Sequence, residues 1–352
     1  MSLNSPFNVS FGEKPNNLIE RNDEFNQITS VFDSENPETK IIIITGARGV
    51  GKTVLLSSIK KNYDNQKNWL CVDTNPNIDI LEQVASKIYE FGKVKKLFLK
   101  AEFNFSFKGV GFSIVGDEPV SSIQVLLEKM FSYLKRKNIK VLVTLDDIAS
   151  NQYVRTFAHA YQSFIREGYL LYFLATGLYE NIEKLSNEKN LTFLTRSTKI
   201  YLGKLNMKAI TYSYMDVFNI EEDDALRIAK QTNGYAYGFQ LLGSILYKSD
   251  KKKIDSDVLK KYDLYLDDNS YSLIWNSLSK NEKIILFSMI NTNSSIKEII
   301  EKTGLTNSAI QVYKKQLVRK GLVDDSTRGK LTFVLPRFNE FVTFQYKLEN
   351  LE

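Results

Sequence analysis

The 352-residue chain has one cysteine, one histidine, six prolines and almost no charge imbalance. Cys71, alone, permits no disulfide within the chain. His159, alone, excludes His-rich metal sites and argues against Ser-His and Cys-His hydrolase arrangements. So few prolines leave no Pro-rich linker, so domain boundaries must be read from changes of pattern. No apolar run approaches the ~18 residues of a spanning helix; the longest, Tyr169 to Tyr179, is strand-length. The opening MSLNSPFNVSFGEKP lacks a charged start followed by an apolar core. Neither secretion nor membrane spanning is expected, and a cytoplasmic location is. Forty-seven basic against forty-one acidic residues give +6, which permits a polyanionic partner without requiring one. What is present is 43% apolar residues, enough to fold the two or three domains that this length implies.

Three blocks emerge. In the first, apolar runs at Lys40 to Thr45, Asn68 to Val72, Ile139 to Leu145 and Tyr169 to Ala175 alternate with amphipathic stretches of helix length. That alternation predicts an α/β core over 38–205, a parallel sheet with helices on both faces, preceded by an N-terminal segment, 1–37. Within it, about 102–115, apolar and polar residues alternate around Gly109 and Gly111, which predicts an inserted β-hairpin. The second block, 206–250, carries three helical patterns and reads as a small helical lid, followed by a charged linker helix over 251–277. The third, 278–352, runs helix, short helix, helix and then two strand-like runs around Arg328-Gly329, the order of a winged helix-turn-helix domain.

Between the first apolar run and the helical pattern VLLSSIK lies Gly46-Ala47-Arg48-Gly49-Val50-Gly51-Lys52-Thr53, a match to G-x-x-x-x-G-K-[ST]. Glycines there let backbone N–H groups close on a β-phosphate, and the helix beginning near Gly51 points its positive end at the anion. Lys52 neutralises β- and γ-oxygens, and the Thr53 hydroxyl is placed to ligate Mg²⁺. The fold class is therefore a P-loop NTPase core, and ATP with Mg²⁺ is the expected ligand.

A phosphate-binding loop needs a second carboxylate from a neighbouring strand end. The run Lys140 to Leu145 supplies it in Asp146, on the metal side, and Asp147, placed to orient or deprotonate the attacking water. Aspartate is one methylene shorter than the glutamate often found in that role, so hydrolysis is expected to be slow or dependent on a partner. The next run ends at Thr176-Gly177, where the threonine could touch the γ-phosphate or the water, or simply form a turn. Arg196 precedes a further strand-like run; it could reach a γ-phosphate in its own or a neighbouring subunit, or lie on the surface.

With this loop, Asp-Asp strand end, Thr-Gly strand end, FLTR segment, lid and C-terminal block in this order, the chain resembles the AAA+/STAND group of P-loop ATPases. More narrowly, it is similar to bacterial ATP-binding proteins with an origin-recognition-type or archaeal-ATPase-type AAA domain. The stretch Phe7 to Glu24 resembles the family's F-x-x-x-F-G-x-x-P opening and its Gly-Arg-acidic box, with Arg21 kept and Glu20 in place of glycine. The resemblance implies that this segment borders the adenine pocket. Thr232 to Tyr237 resembles the lid's Gly-x-Pro element, with Gly234 kept and Ala236 in place of the proline. Three tail segments, WNSLSKNEKIIL, SAIQVYKKQLVRKGLV and LPRFNEFV, match the family's winged-helix pattern.

On the third helix of that block, Ala309, Ile310, Tyr313 and Leu317 fall on one face, leaving Ser308, Gln311, Lys315 and Arg319 opposite. With Arg328 and Lys330 in the following turn, that face would suit double-stranded DNA, opposed by Asp324 and Asp325. Two function classes follow. One is an ATP-dependent switch that assembles on DNA, with a homo-oligomer as its working form. The other is a STAND-like regulatory switch, holding ATP or ADP, whose winged helix closes over the nucleotide until a protein partner opens it.

Overall fold

The computed structural model describes residues 5–9, 15–91, 101–105, 112–117, 122–188, 191, 194, 196–290 and 294–349, with the two middle short segments described as backbone only. The predicted hairpin's glycine turn, Phe11-Gly12 of the opening, and Phe193 and Thr195 of the FLTR segment lie outside them.

The chain begins with α1 (Asn22–Asp33), β1 (Ile41–Thr45), α2 (Lys52–Asp64), β2 (Trp69–Thr74) and α3 (Ile80–Glu90). After β3 (Ala101–Phe105) and β4 (Phe112–Asp117) come α4 (Ile123–Arg136), β5 (Lys140–Leu145), α5 (Gln152–Arg166), β6 (Leu171–Gly177), α6 (Tyr179–Ser186) and β7 (Thr198–Tyr201). The helices of the region expected as a lid are α7 (Met207–Phe218), α8 (Glu222–Thr232) and α9 (Ala236–Lys248). Then follow α10 (Ser256–Leu266), a π-helical turn (Asp267–Tyr271), α11 (Ser272–Asn276), α12 (Lys280–Ser288), α13 (Ile296–Thr303) and α14 (Asn307–Arg319). The chain closes with β8 (Val323–Asp324), β9 (Thr332–Phe333) and α15 (Phe338–Glu349).

Five strands form one sheet in the order β2-β5-β6-β1-β7, with β1, β2, β5 and β6 parallel. Their runs of β-branched and aliphatic residues are buried on both faces, as a helix-covered parallel sheet requires. Ile41, Ile43, Val141, Val143 and Phe173 pack with α3, α4 and α5. Side chains of alternate residues point to opposite faces, and on the other one Phe32, Tyr63, Trp69 and Tyr172 form a chain of aromatic contacts with ring centroids 4.2–6.3 Å apart. Each such buried side chain contributes about 1.5–3 kcal/mol. The hairpin is present: β3 and β4 pair antiparallel, with Phe103 opposite Ile114 and Phe105 opposite Phe112.

The chain divides into two compact units, and the division differs from the one expected from the sequence. Residues 23–45 and 55–200 form one unit, the sheet and its helices. Residues 1–22, 46–54 and 201–352 form the other, so the phosphate-binding loop clusters with the lid and the C-terminal helices. In that second unit Phe7 is buried against Tyr214, Phe218 and Phe239, and a Cβ on Gly243 would lie 2.5 Å from its ring. In the segment expected as a charged linker helix, α10 buries Val258, Tyr262 and Leu266 at i, i+4, i+8. Asp255 caps it, accepting the Val258 N–H at 2.8 Å.

Candidate nucleotide-binding site

The loop leaves β1 at Thr45 and enters α2 at Lys52. Gly46, Gly49 and Gly51 all have positive φ. At Gly49 the requirement is double: φ is +77°, and a Cβ would sit 2.2 Å from the Tyr235 hydroxyl oxygen.

Every carbonyl from Gly46 to Val50 is engaged by a protein donor. Lys52 Nζ donates to Gly46 O at 3.0 Å and Ala47 O at 2.9 Å. The Tyr235 hydroxyl donates to Arg48 O at 2.8 Å, the Tyr237 N–H to Gly49 O at 2.9 Å, and the Arg21 guanidinium to Val50 O at 2.8 Å. Arg21 also holds Gly203 O at 2.9 Å. With the carbonyl edge occupied, the edge left for a ligand is the N–H edge, the polarity an anion requires. The α2 N-terminus adds its positive potential, and Lys52 and Thr53 stand at its first turn. These residues fit a nucleoside triphosphate: N–H groups and Lys52 for the phosphates, the Thr53 hydroxyl for Mg²⁺.

The phenol of Tyr235 has one proton. Because it goes to Arg48, the Ser270 hydroxyl, 2.9 Å away, donates to the phenol oxygen. Tyr235 is buried, and burial holds its phenol protonated well beyond its ordinary range. Ser270 lies in the π-helical turn that opens the C-terminal region, so one side chain joins loop, lid and C-terminal region. Farther along, a Cβ on Gly321, just after α14, would lie 3.1 Å from the Ala47 side chain.

In the sheet unit, Asp146 and Asp147 follow β5 directly. The register places Ile44 of β1 beside Thr176 of β6, and Leu145 of β5 beside Ala175. The Asp-Asp pair and Thr176 therefore stand at the same edge of the sheet as the end of β1. The Thr176 hydroxyl donates to Asp146 and accepts the Asp147 N–H at 2.9 Å. Asp146 is half-buried and Asp147 exposed.

Residues 21–172 match the family model described as the NB-ARC domain. Over those residues the chain is similar to a P-loop ATPase domain of the STAND kind. Residues 268–342 match a model described as a domain of unknown function (DUF8462). No curated protein matches the chain. Among solved structures, the Walker-type ATPase PABY2304 of Pyrococcus abyssi is 12% identical over 93% of this chain and 96% of its own, with a TM-score of 0.60. The Aeropyrum pernix ORC2 protein, in ADPNP–ADP complexes, is 14% identical over 98% of both chains, with a TM-score of 0.57. At such identities the likeness is one of fold, and it extends beyond the NB-ARC domain to nearly the whole chain.

The NB-ARC match begins at Arg21, the first of the expected residues that touches the loop. Gly234 does not: it is buried at φ +77°, its carbonyl accepting the Leu205 N–H at 2.7 Å, so it shapes the lid's turn. The side chain of Arg48 is exposed at the rim, and Arg196 is exposed on a short turn before β7. On α14, Ile310 and Leu317 are buried as expected, and Ser308, Gln311, Lys315, Arg328 and Lys330 are exposed. Arg319 is half-buried. Two neighbouring cations are neutralised: Lys320 pairs with the buried Glu282 at 2.7 Å and Lys314 with Asp325 at 2.8 Å.

Sequence reasoning missed Tyr235, Tyr237 and Ser270. Both tyrosines flank Ala236, where the family's proline is expected, so the lid's departure from pattern was a signal of altered contacts there. Ser270 carried no signal.

Proposed function

We propose that this chain is a nucleotide-operated switch that binds ATP with Mg²⁺, hydrolyses it slowly, and is held closed by its own C-terminal region over the diphosphate form. The observation that carries this reading is the Arg48–Tyr235–Ser270 connection, which ties the phosphate-binding loop to the C-terminal region through the lid. Gly321 beside Ala47 adds a second approach of that region, with the helix order of a winged helix, to the same loop. In this reading Lys52 and the loop N–H groups bind the phosphates, Thr53 and Asp146 serve the metal, and Asp147 orients the attacking water. Bound Mg²⁺ would supply charge neutralisation between the phosphates.

The test is nucleotide content and affinity. The purified protein should retain ADP, and Lys52→Ala should lose both retained and added nucleotide, because backbone dipoles alone then face the phosphate charge. Nucleotide-free protein with unchanged ATP affinity in Lys52→Ala would overturn the reading.

A second reading, DNA contact through α14, draws on the exposure of Ser308, Gln311, Lys315, Arg328 and Lys330. Its weakness is the pairing of Lys314 and Lys320.

A further inference from the structure

The Thr176-Gly177 strand end is expected from sequence to face a phosphate or a water, or to do nothing but turn. Its contacts describe another task. Thr176 is 1% exposed. Its hydroxyl carries a single proton, and that proton is given to the Asp146 carboxylate. One lone pair accepts the Asp147 N–H at 2.9 Å, and the Thr176 carbonyl accepts the Ile148 N–H at 2.7 Å. Three successive residues after β5 are thereby fixed to one residue of β6.

Gly177 completes the arrangement. A Cβ there would lie 2.7 Å from Ile148 Cγ2 and 3.2 Å from Ile182 Cγ1, so a larger residue would force Ile148 or the turn to shift. The turn needs holding. Asp147 has φ +55°, a left-handed conformation that is unfavourable for a non-glycine residue and persists where surroundings impose it. A γ-phosphate oxygen can only accept a hydrogen bond, and Thr176 has no second proton to give it.

We infer that Thr176 is a positioning residue of the hydrolytic site: its hydroxyl fixes the Asp146 carboxylate and the left-handed Asp147 backbone, and does not contact phosphate. The inference deepens the proposed function and rests on it for the turnover arm of its test; the amide-exchange arm needs no nucleotide.

The experiment compares Thr176→Val, which keeps shape and removes the hydroxyl, with Thr176→Ser, which keeps the hydroxyl. In nucleotide-free protein, amide exchange in the peptide spanning Asp147 and Ile148 should speed about tenfold in Thr176→Val and return to within about twofold of wild type in Thr176→Ser. In turnover, Thr176→Val should lose about tenfold or more in kcat, need several-fold more Mg²⁺ for half-maximal rate, and keep its ATP KM within about threefold. Thr176→Ser should restore all three. Loss of the preference for ATP over ADP, with exchange still protected, would overturn the inference in favour of a direct phosphate contact. A lowered Tm with unchanged exchange and Mg²⁺ dependence, or no rescue by serine, would overturn it in favour of plain packing. If wild type binds no ATP, the proposed function fails, and exchange alone still decides whether Thr176 holds the turn.

Discussion

Replacing Tyr235 with phenylalanine removes one oxygen and leaves the ring in place, which makes it the cleanest probe of the closed state proposed above. The loss leaves Arg48 O without its 2.8 Å donor and the Ser270 hydroxyl without its acceptor, both beside a residue 3% exposed. A neutral hydrogen bond contributes about 0.5–1.5 kcal/mol net, and a buried partner left unmatched costs about 1–3 kcal/mol. Taking about 2 kcal/mol for the pair, the equilibrium between closed and open forms shifts roughly 30-fold toward open. Release of a fluorescent ADP analogue, followed by stopped flow, should accelerate by that order, and proteolysis between α9 and α10 should become faster in parallel. Because burial keeps the phenol protonated, the difference should be the same at pH 6 and pH 9. ADP release within about twofold of wild type, in a variant with native Tm, would refute the latch.

Three further outcomes are expected. Asp146→Asn should weaken Mg²⁺-dependent ATP binding, whereas Asp147→Asn should bind ATP normally and lose turnover; titrations and phosphate release in the two variants check the split. Asp267, in the π-helical turn, has its carboxyl pushed up to about 6, chiefly by burial and then by Asp263 and Asp268, with Arg337 opposing. The folded state therefore holds this proton more tightly than the unfolded chain, so the stability it contributes is present below about pH 4 and lost as pH rises through 6. Asp267→Asn should raise Tm at pH 7.5 and leave it nearly unchanged at acid pH, as thermal melts across pH will show. If α14 meets DNA, Lys315→Ala with Arg328→Ala should lower the salt-dependence slope by about one unit per lost phosphate contact; equal slopes would assign that face to protein packing.

The sheet and lid were legible because their signals are local. Four apolar runs became β1, β2, β5 and β6 with ends shifted by a few residues, and the three lid patterns became α7, α8 and α9. The loop was legible because its chemistry demands a fixed string of residue types beside a strand and a helix. What was not legible depends on distant partners. Nothing in the string GARGVGKT says that its carbonyls will be taken by Arg21, Tyr235 and Tyr237, residues separated from it by up to 188 positions. In the segment expected as a charged linker helix, lysines and aspartates dominate the sequence, while the spacing of Val258, Tyr262 and Leu266 decides which face is buried. Likewise, nothing in the sequence of α14 and the residue after it says that Lys314 and Lys320 are held by acids elsewhere in the fold.

The discontinuity of the loop-bearing unit bears on how the chain matures. During synthesis, residues 23–45 and 55–200 can complete the sheet and its helices before residues 201–352 exist. Phe7 leaves the ribosome early, yet the rings that bury it, Tyr214, Phe218 and Phe239, come more than two hundred residues later. The phosphate-binding loop waits in the same way for Tyr235, Tyr237 and Ser270. A nascent chain stopped near residue 200 would thus present a finished sheet with an unfinished loop, and nucleotide capture would become one of the last events of biogenesis, coincident with closure of the loop-bearing unit.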